Sequence, residues 1–352
     1  RRHALGALLT AQAVDSATVM AALASPDEQL RRLAVTGLPR LSAPARLSAL
    51  PRAITDSAPM VRLEALRVLA QSDGIGGCGR LATAAADPSL TVALVALDLL
   101  GQCPGDSSAA LVLTSAATPL PGESWHRSAH ALVSLARVHP ESARALLPAS
   151  STASIWQIRM YSARAALALG DAATLGRLAV DSVANVREAA LTGLVQVLGH
   201  AADGLYREAL GAEDYQLLRT AAGALAGSPA RAEASAALRA AFTRVSAERS
   251  QTSRDPRVAL LVRLRELGAP GDSVALLPAL EDFDGVVADS AAALLEAWTG
   301  RARRALPRPL PADSISRGEA ETLRGGHLRF RMANGATFEV ELLVDDAPLS
   351  VA

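Results

Sequence analysis

Lysine is absent from this 352-residue sequence, and aromatic residues and cysteines are scarce. All 35 basic residues are arginines, and 35 acidic residues balance them. The lack of lysine excludes a Walker-type phosphate-binding loop. Zero net charge and few stacking rings disfavour a nucleic-acid partner, and two cysteines exclude both a disulfide scaffold and a zinc site of four thiolates. We therefore expect no nucleic-acid partner and no cofactor.

Long uncharged apolar stretches are also missing. Asp98 interrupts the nearest candidate, residues 90–100, which falls short of the roughly 18 residues that a membrane helix needs. A hydrophobic content of 50% with balanced charge excludes wholesale disorder. The sequence starts at Arg1 without a methionine and stops at Ala352 within a pattern, so we expect a fragment without a membrane span.

A short phrase recurs along the first 300 residues. Its clearest copy, residues 61–69, reads Val-Arg-Leu-Glu-Ala-Leu-Arg-Val-Leu. Apolar residues recur in it at helical spacing, and an acid such as Asp56, Asp181 or Asp255 precedes several copies as a helix-start signal. The centres of ten copies lie mostly 28 to 35 residues apart: Ala4, Ala34, Ala65, Ala96, Ala131, Ser162, Ala190, Ala222, Val262 and Ala291. This period predicts a repeat protein.

A second apolar segment follows the phrase in most copies, for example at residues 81–86, 175–180 and 274–280. Two helices in about 31 residues form a hairpin that buries its apolar face only by stacking on its neighbours. The pattern of an Asp followed by Val-Arg-x-x-Ala-x-x-x-Leu resembles short HEAT repeats of the phycobilisome-lyase-like type. We predict an all-α fold over residues 1–300, a right-handed α-solenoid of about ten two-helix HEAT-like repeats.

An arginine stands three residues before the centre in six copies: Arg1, Arg31, Arg62, Arg159, Arg187 and Arg219. Three of these have an acid six residues earlier, namely Asp56, Asp181 and Glu213. One interpretation is a basic stripe for an acidic ligand. The favoured interpretation is an Arg–Asp ladder that ties each helix start to its neighbour, because half of the arginines bring a compensating acid.

His126 and His130 lie four residues apart, on one face of a predicted helix and near Glu123. Zinc needs at least a third protein ligand, and His139 and Glu141 lie beyond the predicted helix. We predict polar side chains on a solvated edge rather than a metal site.

Residues 74–79 match the glycine-rich pattern G-x-G-x-x-G, but a helix and not a strand precedes them. We interpret them as an inter-helix loop rather than a dinucleotide site. Cys78 and Cys103 are predicted to lie in inter-helix loops of adjacent repeats, where a disulfide and two inert thiols are both compatible with the sequence. The sequence contains no G-x-S-x-G nucleophile elbow, and we assign no catalytic, cofactor or metal residue.

The last fifty residues change character. Prolines among arginines at residues 301–317 predict an extended linker. From Leu328 the apolar period becomes two, and Asn334-Gly335 predicts a β-hairpin turn between two strands. The segment that begins at Asp345 has the acidic cap and early proline of a helix start.

Residues 318–352 resemble the opening of a cyclophilin-type peptidyl-prolyl isomerase domain. The matching residues are Gly335, Phe338, Val340, Glu341, Leu342, Asp346, Ala347, Pro348, Ser350 and Val351. The turn is one residue longer than the commonest spacing in that family, and a generic hairpin followed by a helix is the alternative. The resemblance implies isomerisation of X-Pro bonds by residues that would lie beyond Ala352, so the fragment itself is expected to be inactive.

These patterns predict a cyclophilin-type isomerase whose N-terminal HEAT-repeat scaffold holds client proteins or peptides on its concave surface. The alternative is a non-enzymatic protein-binding scaffold with a C-terminal capping or docking element. A repeat array joined to an isomerase suggests the periplasm or cell envelope as the compartment.

Overall fold

The computed structural model describes residues 1–71, 77–118, 124–311 and 316–347. This part contains twenty α-helices and one antiparallel β-hairpin. It divides into two compact units: unit 1 is Arg1–Thr243 with Glu266–Gly268, and unit 2 is Arg244–Arg265 with Ala269–Ala352. None of the described helices combines the length and apolar character that a bilayer crossing requires.

Fifteen helices lie entirely within the described part of unit 1. They are α1 (Arg2–Thr10), α2 (Ser16–Leu23), α3 (Glu28–Gly37), α4 (Ala43–Ile54), α5 (Pro59–Gln71), α6 (Gly77–Ala84), α7 (Leu90–Leu100), α8 (Ser107–Ala117), α9 (Trp125–Val138), α10 (Pro140–Ser151), α11 (Trp156–Leu169), α12 (Ala172–Leu178), α13 (Ala184–Val197), α14 (Asp203–Ala209) and α15 (Tyr215–Ala224). The odd-numbered helices from α1 to α15 contact one another in succession, and we call them layer A. The even-numbered helices from α2 to α14, layer B, each pack against the next helix of layer A.

The recurring phrase occupies layer A, because its central small residue lies where consecutive helices touch. Ala34, Ala65, Ala96, Ala131, Ser162 and Ala190 are fully buried, and Ala222 is 1% exposed. A small side chain there lets neighbouring backbones approach, while leucine and valine one turn away fill the space between the layers. The predicted HEAT-like solenoid of stacked helix pairs is confirmed.

Two of the ten predicted centres are wrong. Ala4 is exposed and Leu5 is buried in its place, while Val262 is 57% exposed and Leu260 is fully buried. The position three residues before each corrected centre is again an arginine, Arg2 or Arg257. The loose matches at these two copies shifted the register by one and by two residues.

Unit 2 continues the pattern and then departs from it. Helices α16 (Arg231–Ala247) and α17 (Arg254–Leu267) cross the boundary between the units, and α18 (Ser273–Leu276), α19 (Gly285–Thr299) and α20 (Arg317–Leu323) lie within unit 2. The last two copies of the phrase lie on α17 and α19, so ten helices of the described chain carry it.

An extended segment follows α19. Its backbone runs beside the loop before α19: Leu306 N–H donates to Leu280 O over 2.8 Å, and Arg308 N–H donates to Asp282 O over 3.2 Å. The predicted extended conformation is therefore present up to residue 311, and residues 312–315 lie outside the described part. The predicted domain limits at residues 300 and 317 stay predictions.

The predicted β-hairpin is present, with strands one residue earlier than expected. Strands β1 (His327–Arg331) and β2 (Thr337–Glu341) are antiparallel, and Phe330 faces Phe338. Residues 332–336 join them, and the φ of 84° at Gly335 in this turn suits glycine. Asp345 and the residue after it form a turn; the predicted helix start continues into residues 348–352, outside the described part.

Candidate functional site

Scarce residue types collect at one place on layer A. Trp125 and His126 begin α9, His130 follows one turn later, and Tyr161 lies on the neighbouring helix α11. The Trp125 and His126 rings stack with 3.8 Å between centroids, and the Tyr161 ring lies 6.0 Å from Trp125 and 4.8 Å from His130. The guanidinium of Arg164 covers the Tyr161 ring at 4.7 Å. We call these five residues the aromatic cluster.

A hydrogen-bond chain through three helices of layer A fixes the cluster. Asp98 Oδ1, on α7, lies 2.8 Å from His130 Nδ1, and His130 Nε2 lies 2.9 Å from the Tyr161 hydroxyl. A neutral imidazole satisfies both contacts if Nδ1–H donates to the carboxylate and Nε2 accepts the phenolic proton. The chain therefore holds the Tyr161 ring in one orientation.

The two histidines that the sequence analysis considered as metal ligands, His126 and His130, have other contacts. Both ring nitrogens of His130 are engaged in the hydrogen-bond chain, and Nδ1 of His126 contacts the Ser124 hydroxyl. The His139 Nδ1 accepts from Ser142 N–H at the start of α10. Within the described ranges no group of three potential metal ligands occurs, and Glu123 lies outside them.

The prediction that His130 lies on a solvated edge is wrong, because only 18% of its side chain is exposed. Trp125 and Tyr161 are half-buried, while Arg164 is exposed. A rigid Trp–Tyr–Arg surface of this kind suits the binding of another protein, since these three residue types are enriched at energetic hot spots of interfaces. Aromatic side chains with few rotatable bonds lose little entropy when a partner covers them.

The spacing of arginine and aspartate that recurs among the repeats produces ion pairs between successive repeats of layer A. Nε and Nη2 of the arginine donate to the two carboxylate oxygens of an aspartate in the next repeat, at 2.6–2.8 Å. Nη1 donates to two backbone carbonyls that precede the arginine's own helix. The three pairs with this full geometry, which we call rungs, are Arg31–Asp56, Arg62–Asp87 and Arg159–Asp181.

The rungs are well shielded, with 9–14% of each side chain exposed. The hydrogen bond from the arginine is the largest cause that lowers the pKa of Asp56, Asp87 and Asp181 below the usual carboxyl value. The same carboxylates accept from backbone N–H groups two residues later, at Ala58, Ser89 and Val183. Each aspartate thus holds the turn before its own helix and ties that turn to the preceding repeat.

The ladder interpretation is confirmed for Arg31, Arg62 and Arg159, whose charges are neutralised within the chain. At the first copy the pair is formed by Arg2 with Asp27, not by Arg1. Arg219 is exposed and donates to Gln216 Oε1 over 3.4 Å, so it is not a rung. Arg187 keeps both carbonyl contacts, to Asp181 O and Ser182 O, but bonds no carboxylate of the described residues.

Unit 2 contains an Arg–Asp pair that is more deeply buried than the rungs but differs from them in geometry. Arg257 is fully buried, and its Nη1 donates to both Asp282 carboxylate oxygens at 2.7 and 2.6 Å. Its guanidinium also lies 4.2 Å from the Phe283 ring centroid. A groove of about 460 Å³ opens beside Phe283 between the start of α17, the start of α19 and the extended segment at Pro309.

The glycine-rich motif and the cysteines take part in structure. Gly77, Cys78 and Gly79 begin α6 rather than continuing a loop, and residues 74–76 lie outside the described part. Cys78 forms a disulfide with Cys103, which lies in the turn after α7. Of the two alternatives that the sequence allowed, the structure contains the bridge.

Sequence reasoning missed the aromatic cluster because its members come from two helices, and Asp98, which fixes them, comes from a third. Alignment of the copies on their centres would have shown the relation: Tyr161 and His130 each stand one residue before a centre, and Asp98 stands two residues after one. Such residues share one face of adjacent helices.

No known family and no curated protein matches this chain in sequence. Solved structures match it in fold. YibA of E. coli, a HEAT-repeat protein, aligns with a TM-score of 0.51 and 17% identity over 78% of this chain and 97% of its own. The karyopherin Kap121p, in a complex with the extreme C-terminus of the protein phosphatase Cdc14p, aligns with a TM-score of 0.51 and 13% identity over 84% of this chain and 40% of its own. Kap121p bound to the SUMO protease Ulp1p gives a TM-score of 0.50 at 14% identity, over 84% of this chain and 39% of its own. At these identities the likeness concerns the fold alone.

Proposed function

We propose that this chain is a protein-binding scaffold and that the aromatic cluster of layer A is its principal contact surface. The observation that carries the proposal is the Asp98–His130–Tyr161 chain, which fixes a half-buried tyrosine beside Trp125 on a helix face. In the structures that match in fold, Kap121p is bound to Cdc14p or to Ulp1p, which supports the use of this fold for protein binding.

The proposal is tested by selecting peptides from a displayed random library against the whole chain. Selected peptides are titrated by fluorescence against the wild type, Tyr161→Ala and His130→Gln. We expect Tyr161→Ala to weaken binding at least tenfold, as for a hot-spot residue, and His130→Gln to weaken it less because the ring stays but loses its fixed orientation. Leu111→Ala is the matched control, since Leu111 is 73% exposed on layer B. Selection of no peptide, or equal binding by Tyr161→Ala, would show that the surface is not used.

A second function is supported by the C-terminal hairpin. One face of the hairpin carries four apolar side chains, which are 42–50% exposed: Leu328, Phe330, Phe338 and Val340. In a larger sheet such an alternating apolar face would be buried. We infer that this hairpin opens a cyclophilin-type isomerase domain whose further strands cover the apolar side. A proline-isomerisation assay on the full-length protein, with and without a cyclophilin inhibitor, tests the inference. Inhibitor-sensitive turnover is expected, and an inactive full-length protein would leave the scaffold function alone.

The Cys78–Cys103 disulfide supports an oxidising compartment for this protein, because such bridges persist outside the reducing cytosol. We propose the periplasm or cell envelope as that compartment. Trapping of the thiols with a maleimide in intact cells, followed by mass analysis, should find both cysteines unlabelled.

A further inference from the structure

The rung at Arg187 lacks its carboxylate. Arg187 stands three residues before the centre of its copy, and its Nη1 donates to Asp181 O and Ser182 O over 2.8 and 3.4 Å. These are the same two carbonyl positions that Nη1 uses in the complete rungs, such as Arg62 with Asp56 O and Ser57 O. The guanidinium is therefore held in the rung orientation.

A glutamate replaces the aspartate of the complete rungs at this copy. Asp56 and Asp181 stand six residues before the arginine of their own copy, and Glu213 has the same position before Arg219. Glu213 is exposed and makes no bond to Arg187. The separation within a rung is 25 residues for Arg31 and Arg62 and 22 for Arg159, and the residue 25 positions after Arg187 is the uncharged Ala212.

A cavity of about 190 Å³ lies where the carboxylate is missing. Arg187 and Ala212 both line it, together with Val180, Leu205 and Glu208. Val180 is 57% exposed at its edge. The cavity thus combines a fixed guanidinium with an apolar wall, and its volume suits one short side chain rather than a cofactor.

We propose that this incomplete rung binds a carboxylate of a protein partner, in the place that aspartate occupies in the complete rungs. Nε and Nη2 of Arg187 would donate to the two oxygens in the fork geometry of the Arg62–Asp87 pair, whose donor–acceptor distances are both 2.7 Å. The carboxylate comes either from an aspartate or glutamate side chain or from a chain end, and the apolar wall takes the carbon atoms next to it. The partner class rests on the proposed scaffold function, but the site itself does not involve Trp125 or Tyr161.

The test follows the Nε–Hε signal of Arg187 by NMR in the whole chain, identified by its loss in Arg187→Lys. The probes are a capped tripeptide, acetyl-Ala-Asp-Ala-amide, and acetyl-Ala-Ala-Ala with a free carboxylate; acetyl-Ala-Asn-Ala-amide is the uncharged control. We expect a saturable shift with one or both carboxylate probes in the millimolar range and none with the control. The better of the two carboxylate probes identifies the source.

Two variants make the test specific without removing the arginine. Ala212→Asp supplies the missing carboxylate, so it should abolish the response and raise the thermal unfolding midpoint. Asp87→Ala creates the same vacancy at Arg62, whose signal should then respond to the same probe. A probe response that persists in Ala212→Asp, or no response in the wild type, would overturn the proposal. A response seen only in Glu208→Gln would also overturn it, because Glu208 would then occupy the site itself. A negative result here leaves the peptide selection at Tyr161 unaffected, so the two proposals fail separately.

Discussion

Layer A of unit 1 and the C-terminal hairpin contain the same kinds of residue at regular spacing, but these residues are buried in layer A and exposed in the hairpin. Leu97 on α7 is fully buried, whereas Leu328 on β1 is 50% exposed. The side chains of the Arg62–Asp87 pair are 13% and 9% exposed, whereas those of Arg329–Glu339 across the hairpin are 74% and 47% exposed. A regular pattern thus stabilises a structure only where neighbouring elements exclude water from it.

This difference in burial follows from the number of neighbouring helices or strands around each element. Each inner helix of layer A touches two helices of its own layer and at least one of layer B. The sheet of the hairpin has two strands, and all ten strand residues are exposed. A two-stranded hairpin is marginal in water, and the stacked Phe330 and Phe338 rings lie in contact across its strands. Four predictions test this contrast, from the largest effect to the smallest.

Removal of the buried arginine of unit 2 should have the largest effect. Arg257→Ala leaves Asp282 buried without its partner, which costs about 3–5 kcal/mol of unfolding free energy. The exposed pair of the hairpin is the matched comparison, where Arg329→Ala should cost less than about 1 kcal/mol. Urea unfolding followed by fluorescence of Trp298, which lies on α19, reports unit 2 once Trp125 and Trp156 are phenylalanine. Equal costs for the two variants would contradict the contrast between buried and exposed pairs.

Reduction of the disulfide should come next. The bridge joins residues 25 positions apart, and the chain-entropy treatment assigns a loop of this length about 3.5 kcal/mol. A thiol reductant should therefore lower the urea midpoint of the transition reported by Trp125 and Trp156. The Cys78→Ala, Cys103→Ala double variant is the control, because its midpoint should not respond to the reductant. If the wild type is equally insensitive, the bridge does not stabilise unit 1.

The third prediction compares the loss of a leucine side chain in layer A with the same loss in the hairpin. Leu97→Ala should destabilise unit 1 by about 3 kcal/mol, since it removes transfer free energy and leaves a cavity in a packed core. Leu328→Ala should change the stability of the hairpin by only a few tenths of a kcal/mol, as expected for surface substitutions. Urea titrations monitored by circular dichroism measure the first, and Phe330–Phe338 contacts in NMR spectra measure the second. A large loss at Leu328 would mean that the apolar side of the hairpin is already covered.

The sequence predicted the helices of layer A well because each centre residue must be small and buried. It also predicted that the arginines would pair with acids. The partner of each arginine was harder to predict from the sequence. Asp56, for example, stands six residues before Arg62 but pairs with Arg31 of the preceding repeat. Local spacing shows what a residue can do within one helix, whereas the choice of partner depends on how far each helix is displaced along its neighbour. The Asp98–His130–Tyr161 chain was missed for the same reason.

The smallest expected effect concerns pH and separates the rungs from ordinary helix caps. Asp87 has its pKa lowered mainly by the hydrogen bond from Arg62, so its carboxylate stabilises the folded state above the unfolded pKa of about 3.9. That stability is lost as the pH falls from the unfolded pKa through the lower folded pKa, where the folded carboxyl takes up its proton. Asp87→Asn should therefore unfold at a lower temperature than the wild type at pH 7, and the two should converge only as the pH falls through the folded pKa of Asp87. Asp106 is the comparison, because hydrogen bonds from Ser108 and Ala109 lower its pKa without an arginine. Asp106→Asn should converge with the wild type too, but from a smaller difference at pH 7. If the two variants gave the same difference, the bond from Arg62 would add nothing to the hydrogen bond that Asp87 accepts from Ser89 N–H, and the ladder would not stabilise the link between repeats.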